Sequence, residues 1–350
     1  MKHVLRVTLL LLLIGLVMPL VAQEKTLTIG VDQEAIGLDP HIVTAFSSHR
    51  RIDLLYNKLV RHDEDLKIVP DLAESWEIPN NTTYIFNLRK GVKFHNGIEL
   101  TADDVIFSLN RILDPKTAAP GRSYITSIKS MEAISPYQVK ITLSAPLASF
   151  LEGLSSNNCA IVSKAAVEQY GNLQKVEVGT GPFILKEWIP DNSMTLVKNS
   201  NYFDKGLPYL DKVIFRVIPE QASLFAGVKS GTLDIAQIND GSTVLLAKRD
   251  PNLIVMQKPG INLRTFGFNV TRKPFDDERV RQAISLAIDR NEIIAAAEFG
   301  MAQPSGPIPA GATQWALPLN RLPFYTPDLA KAKSLLSQAG FPNGLSLKIV

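Results

Sequence analysis

Apolar and polar residues alternate most regularly in three stretches of this chain. In AESWEIPNNTTYIFNLRKG, Tyr84, Phe86 and Leu88 share one face while Ile85, Asn87 and Arg89 share the other. That period of two is the signature of a strand, and Pro79-Asn80-Asn81 supplies a turn, so the stretch predicts a hairpin. ISPYQVKITL repeats the pattern, with Ser135-Pro136 ahead of Val139, Ile141 and Leu143, and FILKEWIPDNSMTLVKN repeats it about Pro190-Asp191-Asn192. Near the start, TLTIGV (26–31) reads as a short strand, followed by the irregular loop DQEAIGLDPH and a helix around His49 to Leu59.

The second half alternates strands with helices. KVIFRVI (212–218) is a strand, QASLFAGVKSG a helix closed by Gly231, and TLDIAQI another strand. In DDERVRQAISLAIDR, Val280, Ala283, Ile284, Ala287 and Ile288 fall at i, i+3, i+4, i+7 and i+8, which places one apolar stripe on a helix. Thr326 with Pro327 predicts the start of a last helix whose core face is Ala332, Leu335, Leu336 and Ala339, ended by Gly340. The closing LSLKIV reads as the opening of a buried strand. No internal repeat or low-complexity tract is visible.

RKGVKFHNGIELTADDV (89–105) concentrates Arg, Lys, His, Glu and two Asp in seventeen residues, which raises the question of a metal or acid–base site. Each charge has a structural task instead. Arg89 and Lys90 close a strand, and His95-Asn96-Gly97 makes a turn. Thr101 with Asp104 forms a capping box, and Asp103 and Asp104 suit the positive end of the helix dipole. The helix then buries Val105, Ile106, Leu109 and Ile112. A metal would need a second histidine at helical spacing or acids converging from one face, and the stretch offers neither.

Other catalytic vocabulary fails in the same way. The five histidines, His3, His41, His49, His62 and His95, form no HExxH or H-x-H pattern. VGTGPF (178–183) is glycine-rich but no Gly-Lys-Ser/Thr follows, so its glycines are expected to allow a close backbone approach and not to cradle phosphate. Asp276-Asp277-Glu278 is the acidic first turn of a helix, and no G-x-S-x-G elbow occurs. The sole cysteine, Cys159, excludes an internal disulfide and any cysteine-cluster metal site, and reads as a buried thiol. No cofactor and no metal are expected.

Length and charge narrow the class further. A chain of 350 residues suggests two compact units. A net charge of +3, spread along the chain, offers no basic stripe for nucleic acid. The N-terminus is more specific: Lys2 and Arg6 precede an apolar run from Val7 to Met18, then Pro19 and the small residue Ala22. That is a signal peptide over 1–22, cleaved near Ala22, with an apolar run shorter than the ~20 residues of a membrane helix. No cysteine at the cut could take a lipid, so an exported, soluble protein is expected.

Five stretches then stand in a familiar order: VPDLAESWEI (69–78), YIFNLRKGVKFHNGIELTADDVIFSLNRI (84–112), VGTGPF (178–183), FDDERVRQAISLAIDRNEII (275–294) and DLAKAKSLLSQAGFPNG (328–344). Together they closely resemble the extracytoplasmic solute-binding proteins of the peptide/nickel class (family 5) that serve ABC importers. The resemblance runs from about residue 26 to the end. It implies an α/β fold of the two-lobed periplasmic-binding-protein kind, with an extra inserted subdomain in the first lobe. Residues 26–45 and 170–262 would form the first lobe, 46–169 the inserted subdomain, and 263–350 the start of a second lobe, with the crossing near 259–270. The family's chain continues further, so the second lobe is expected to be incomplete here, and the acids, bases and histidine that hold peptide ends or nickel would lie in that later part.

The implied function is capture of a di- or oligopeptide by lobe closure and delivery to ABC permease subunits, as a periplasmic monomer without catalysis. A nickel chelate, an oligosaccharide or an opine in the same scaffold remains an alternative, and an exported hydrolase is the competing class. Carried over by matched position, the loop after LDPH places Thr44, Ala45 and Phe46 at the ligand, and the PGRSY segment places Gly121, Arg122 and Tyr124 there. Among these Arg122 is the sharpest candidate, because a guanidinium suits a ligand carboxylate.

Overall fold

The computed structural model describes residues 24–258, 260, 262–313 and 315–347, so the expected signal peptide at 1–22 lies outside the described residues. In chain order the elements open with β1 (Thr26–Val31), α1 (Phe46–Leu55), β2 (Val60–His62), β3 (Ile68–Pro70), β4 (Ala73–Asn80) and β5 (Thr83–Leu88). There follow α2 (Ala102–Leu113), α3 (Arg122–Ile125), β6 (Ile128–Ser135), β7 (Gln138–Leu143), α4 (Phe150–Leu154) and α5 (Lys164–Tyr170). Then come β8 (Phe183–Ile189), β9 (Ser193–Lys198), β10 (Lys212–Val217), α6 (Gln221–Ser230), β11 (Ile235–Ala236) and α7 (Gly241–Arg249). The last three helices are α8 (Glu278–Ala287), α9 (Arg290–Ala297) and α10 (Leu329–Gln338).

All three expected hairpins form. β4–β5 and β6–β7 build one antiparallel sheet in the order β4-β5-β7-β6, and β8–β9 enters a five-stranded sheet in the order β11-β1-β10-β9-β8. Strand β1 runs parallel to β10, with Thr26 opposite Lys212 and Val31 opposite Val217. The stretch TLDIAQI contributes only the two-residue β11, held to β1 partly through the Asp234 carboxylate, which accepts from the Thr28 N–H at 2.7 Å.

The chain divides into two compact units, residues 1–219 with 230–237 and residues 220–229 with 238–350. The first holds every strand among the described residues and one contiguous core, which joins Phe86, Val139 and Ile141 of one sheet to Leu196 and Phe215 of the other. The second is helical among the described residues, and its buried core is Ala283, Leu286 and Ala332, flanked by Phe324, Leu335 and Leu336.

Helix α1 starts and ends earlier than its apolar pattern suggests. Tyr56 turns extended, and the next residues are claimed by Asp71: its carboxylate accepts from Asn57 Nδ2 at 2.9 Å and from the Lys58 N–H at 2.8 Å. Val60 is then already in β2. Helix α8 stops at Ala287, because Asp289 caps α9 by accepting from the Asn291 and Glu292 N–H groups, and its buried face is Val280, Ala283 and Leu286 instead of the stripe through Ile284, Ala287 and Ile288. The cap of α10 is Asp328, not Thr326; its carboxylate accepts from the Lys331 N–H at 2.9 Å. Residues 345–347 join no ladder, and the rest of LSLKIV lies outside the described residues.

VGTGPF behaves as its glycines suggested. Gly181 donates its N–H to Leu55 O at 2.9 Å, and a Cβ on Gly179 would sit 1.9 Å from that same carbonyl oxygen. The loop therefore lies directly against the end of α1, and no side chain fits between.

Candidate functional site

The loop between β1 and α1 is shaped by one buried network. Asp39 is fully buried and takes a two-pronged bond from Arg111 of α2, at 2.9 and 2.7 Å, with further N–H donations from His41 and Leu173. Burial alone would push the Asp39 carboxyl up, but Arg111 and the Leu173 N–H outweigh it and hold it below its ordinary value. His41 is buried beside it. Burial and the Arg111 charge hold its ring down to about 4, so it is neutral at pH 7. Arg111 can only donate and a carbonyl can only accept, which fixes the tautomer: Nδ1 accepts from Arg111 at 2.8 Å, and Nε2–H donates to Ala160 O at 2.8 Å.

From this anchored loop the chain enters α1 at Ala45. The helix has no side-chain cap and no acid in its first turn, so its positive end is unneutralised by its own residues. Thr44 is exposed, Ala45 half-buried, and Phe46 is 64% exposed. The second candidate segment meets the first through Asn158. The Asn158 amide donates to Pro40 O at 2.6 Å and Val43 O at 2.9 Å, while Gly121 packs so tightly on Asn158 that a Cβ there would lie 2.9 Å from its carbonyl oxygen. Gly121 is thus buried as a spacer, and Arg122 and Tyr124 beyond it are exposed. Arg122 is oriented by its Nε, which donates to Leu113 O at 3.0 Å, and no carboxylate lies within ion-pair distance of it among the described residues. Tyr124 backs onto Gly153 of α4.

Known proteins share the sequence family and the fold of this chain. The family described as "Bacterial extracellular solute-binding proteins, family 5 Middle" matches residues 67–350. The chain belongs to the family 5 extracellular solute-binding proteins. The glutathione-binding protein of Escherichia coli (strain K12) is 32% identical over 324 residues, covering 92% of this chain and 63% of its own length. A periplasmic binding protein of Helicobacter pylori, solved with the peptide STSA, superposes with a TM-score of 0.77 at 33% identity, covering 91% of this chain and 67% of its own. The A. tumefaciens R10 protein solved with agropinic acid superposes at 0.79 with 32% identity, covering 91% and 65%. The chain thus spans a little under two thirds of the length of the curated relatives it matches, and its mixed α/β fold is that of the periplasmic binding proteins.

One constellation in this family 5 chain imitates a hydrolase. His62 Nε2 lies 2.8 Å from the Glu152 carboxylate, and Ser155 Oγ lies near the ring. Ser155 Oγ is 3.4 Å from both ring nitrogens, however, so it faces the ring's flank, and it donates to Glu152 O at 2.7 Å. A serine activated by histidine needs its proton aimed at the nitrogen that the carboxylate leaves free. This one is aimed elsewhere. Among the described residues no cluster of three or more His, Cys, Asp or Glu side chains could hold a metal, and no helix is long and apolar enough to cross a membrane.

His95 carries more than the turn expected of it. Its ring is buried, with Nε2 donating to Gly181 O at 2.9 Å and Nδ1 2.5 Å from the Glu177 carboxylate, which also accepts from the Gly179 N–H at 2.6 Å. The histidine of the charged stretch thereby locks the VGTGPF loop in place. Asn158, the residue that couples the two candidate segments, had no signal in the local pattern. Only its position just before the buried Cys159 hinted at an interior role.

Proposed function

We propose that this chain is the solute-capturing component of an ABC importer, exported to the periplasm, taking up a small peptide and handing it to permease subunits without chemistry of its own. The observation that carries the reading is the convergence on Asn158 of two segments that leave Thr44, Phe46, Arg122 and Tyr124 exposed together. An uncapped helix end and an unpaired guanidinium suit a ligand carboxylate, and exposed aromatic rings suit the apolar faces of an extended peptide. The relatives support it by name: one is a glutathione-binding protein and one was solved with a tetrapeptide. The signal-peptide pattern at residues 1–22 supports export.

An opine is the second reading, favoured by the agropinic acid relative at 32% identity. Calorimetric titration of the chain with tetrapeptides and with agropinic acid separates the two. Peptide binding that weakens ~10-fold or more in Arg122→Ala, with the peptide recovered intact, is the expected result. Binding of agropinic acid alone would replace the peptide by the opine, and cleavage of the peptide would return the protein to the hydrolases.

A further inference from the structure

The first unit also holds a cleft of about 620 Å³, within the range of small-molecule sites, whose lining includes none of the candidate residues Thr44, Phe46, Arg122 and Tyr124. Three of the sequence stretches that carry the family resemblance meet there: Asp71 from VPDLAESWEI, Arg89 from YIFNLRKG and Pro182 from VGTGPF. Its charged groups divide into engaged and available. Asp71 lines the cleft, is buried, and is used up by Asn57 and the Lys58 N–H; burial raises its carboxyl above its ordinary value. Lys58 Nζ is held by Asp53 at 3.0 Å and Asn157 Oδ1 at 2.8 Å, and His62 by Glu152. Asp204 also lines the cleft and is exposed.

Two guanidinium groups remain. Arg61 donates only to His62 O, at a long 3.4 Å, and Arg89 uses its Nε on Asp71 O at 2.6 Å while lying 5.3 Å over the Phe203 ring. Among the described residues no carboxylate lies within ion-pair distance of either. Beside them, Tyr202 accepts from Asn57 Nδ2 at 3.5 Å, which leaves its own O–H free to donate into the cleft, and its ring packs 4.6 Å from that of Phe203. Two forked cations, a phenolic donor and an aromatic wall around one cavity are the elements of oxyanion recognition.

We propose that this cleft is a second ligand site, for a small organic anion whose carboxylate or phosphate is held by Arg61 and Arg89 with its remainder against Tyr202. The site shares no lining residue with the peptide surface at Phe46 and Arg122. Calorimetric titration of the full chain at low salt with citrate, and separately with inorganic phosphate, tests it. One saturable site is expected, weakened ~10-fold or more in Arg61→Gln and several-fold in Tyr202→Phe, which keeps the ring and removes only the donor. Arg61 is exposed, so its replacement leaves the fold intact. Saturation by citrate assigns the carboxylate source, and saturation by phosphate alone assigns the phosphate source. No saturable binding of either probe, or wild-type affinity in both variants, overturns the proposal.

Discussion

His41 should make the first unit sensitive to mild acid, and His41→Gln should remove that sensitivity. Glutamine can reproduce both hydrogen bonds, its Oε1 accepting from Arg111 and its amide donating to Ala160 O, so the comparison isolates titration from packing. The folded ring is held at about 4, against an ordinary ~6.5 in the unfolded chain. Because the folded value is depressed, the unfolded state binds the extra proton between those limits, and stability is lost as pH falls from ~6.5 toward 4. Between pH 7 and pH 5 the linkage relation gives a loss of ~2 kcal/mol from this one group. Asp39 is also depressed, but its contribution is lost only at lower pH, below the ordinary carboxylate value of ~3.9. The assay is urea unfolding of the full chain at both pH values, read by Trp76 and Trp188 of the first unit in a Trp315→Phe background. The wild-type unfolding free energy should fall by ~2 kcal/mol more than that of His41→Gln between the two pH values. An equal fall in the two proteins would refute the assignment of a neutral, buried His41.

Three further outcomes follow from the packing. Gly179→Ala places a methyl group 1.9 Å from Leu55 O, a backbone atom that cannot swing aside, so a loss of ~3 kcal/mol or more is expected by thermal or urea unfolding; wild-type stability would mean that the loop does not lie against α1. Asp39→Ala strands the Arg111 guanidinium, a cost of ~3–5 kcal/mol, and the double variant with Arg111→Met should recover part of it; a double variant no more stable than the single would contradict the pairing. The core cluster of the second unit joins only Ala283, Leu286 and Ala332 among the described residues, while Ile254 is 91% and Met256 81% exposed, so its amides should exchange with solvent well ahead of those in β1, β9 and β10. Equal protection across both units would show that this small core is not what governs opening.

The parts of the fold legible in the sequence were those decided by neighbours in the chain. The hairpins followed from alternation plus a turn residue, and Asp104 accepting from the Thr101 N–H at 3.1 Å followed from a three-residue spacing. Failures came where a distant partner overruled a local preference. The apolar run to Leu59 continues a helical pattern, yet Asp71 competes for Asn57 and Lys58 and ends α1 at Leu55. Periodicity put Ala287 on the core face of α8, but the Asp289 cap of the next helix stops α8 there, and Leu286 turns inward. At the candidate site, resemblance supplied the two segments, while the bond from Asn158 to Pro40 O spans 118 positions and the His95–Glu177 lock spans 82, and neither leaves a periodic trace.

Native mass spectrometry of the protein isolated from its own host tests the central claim most directly. Solute capture predicts a folded chain carrying an adduct of peptide mass, released intact on activation and missing from Arg122→Ala. A chain that carries no adduct, and takes up none when supplied with a mixture of di- to pentapeptides, would contradict the account.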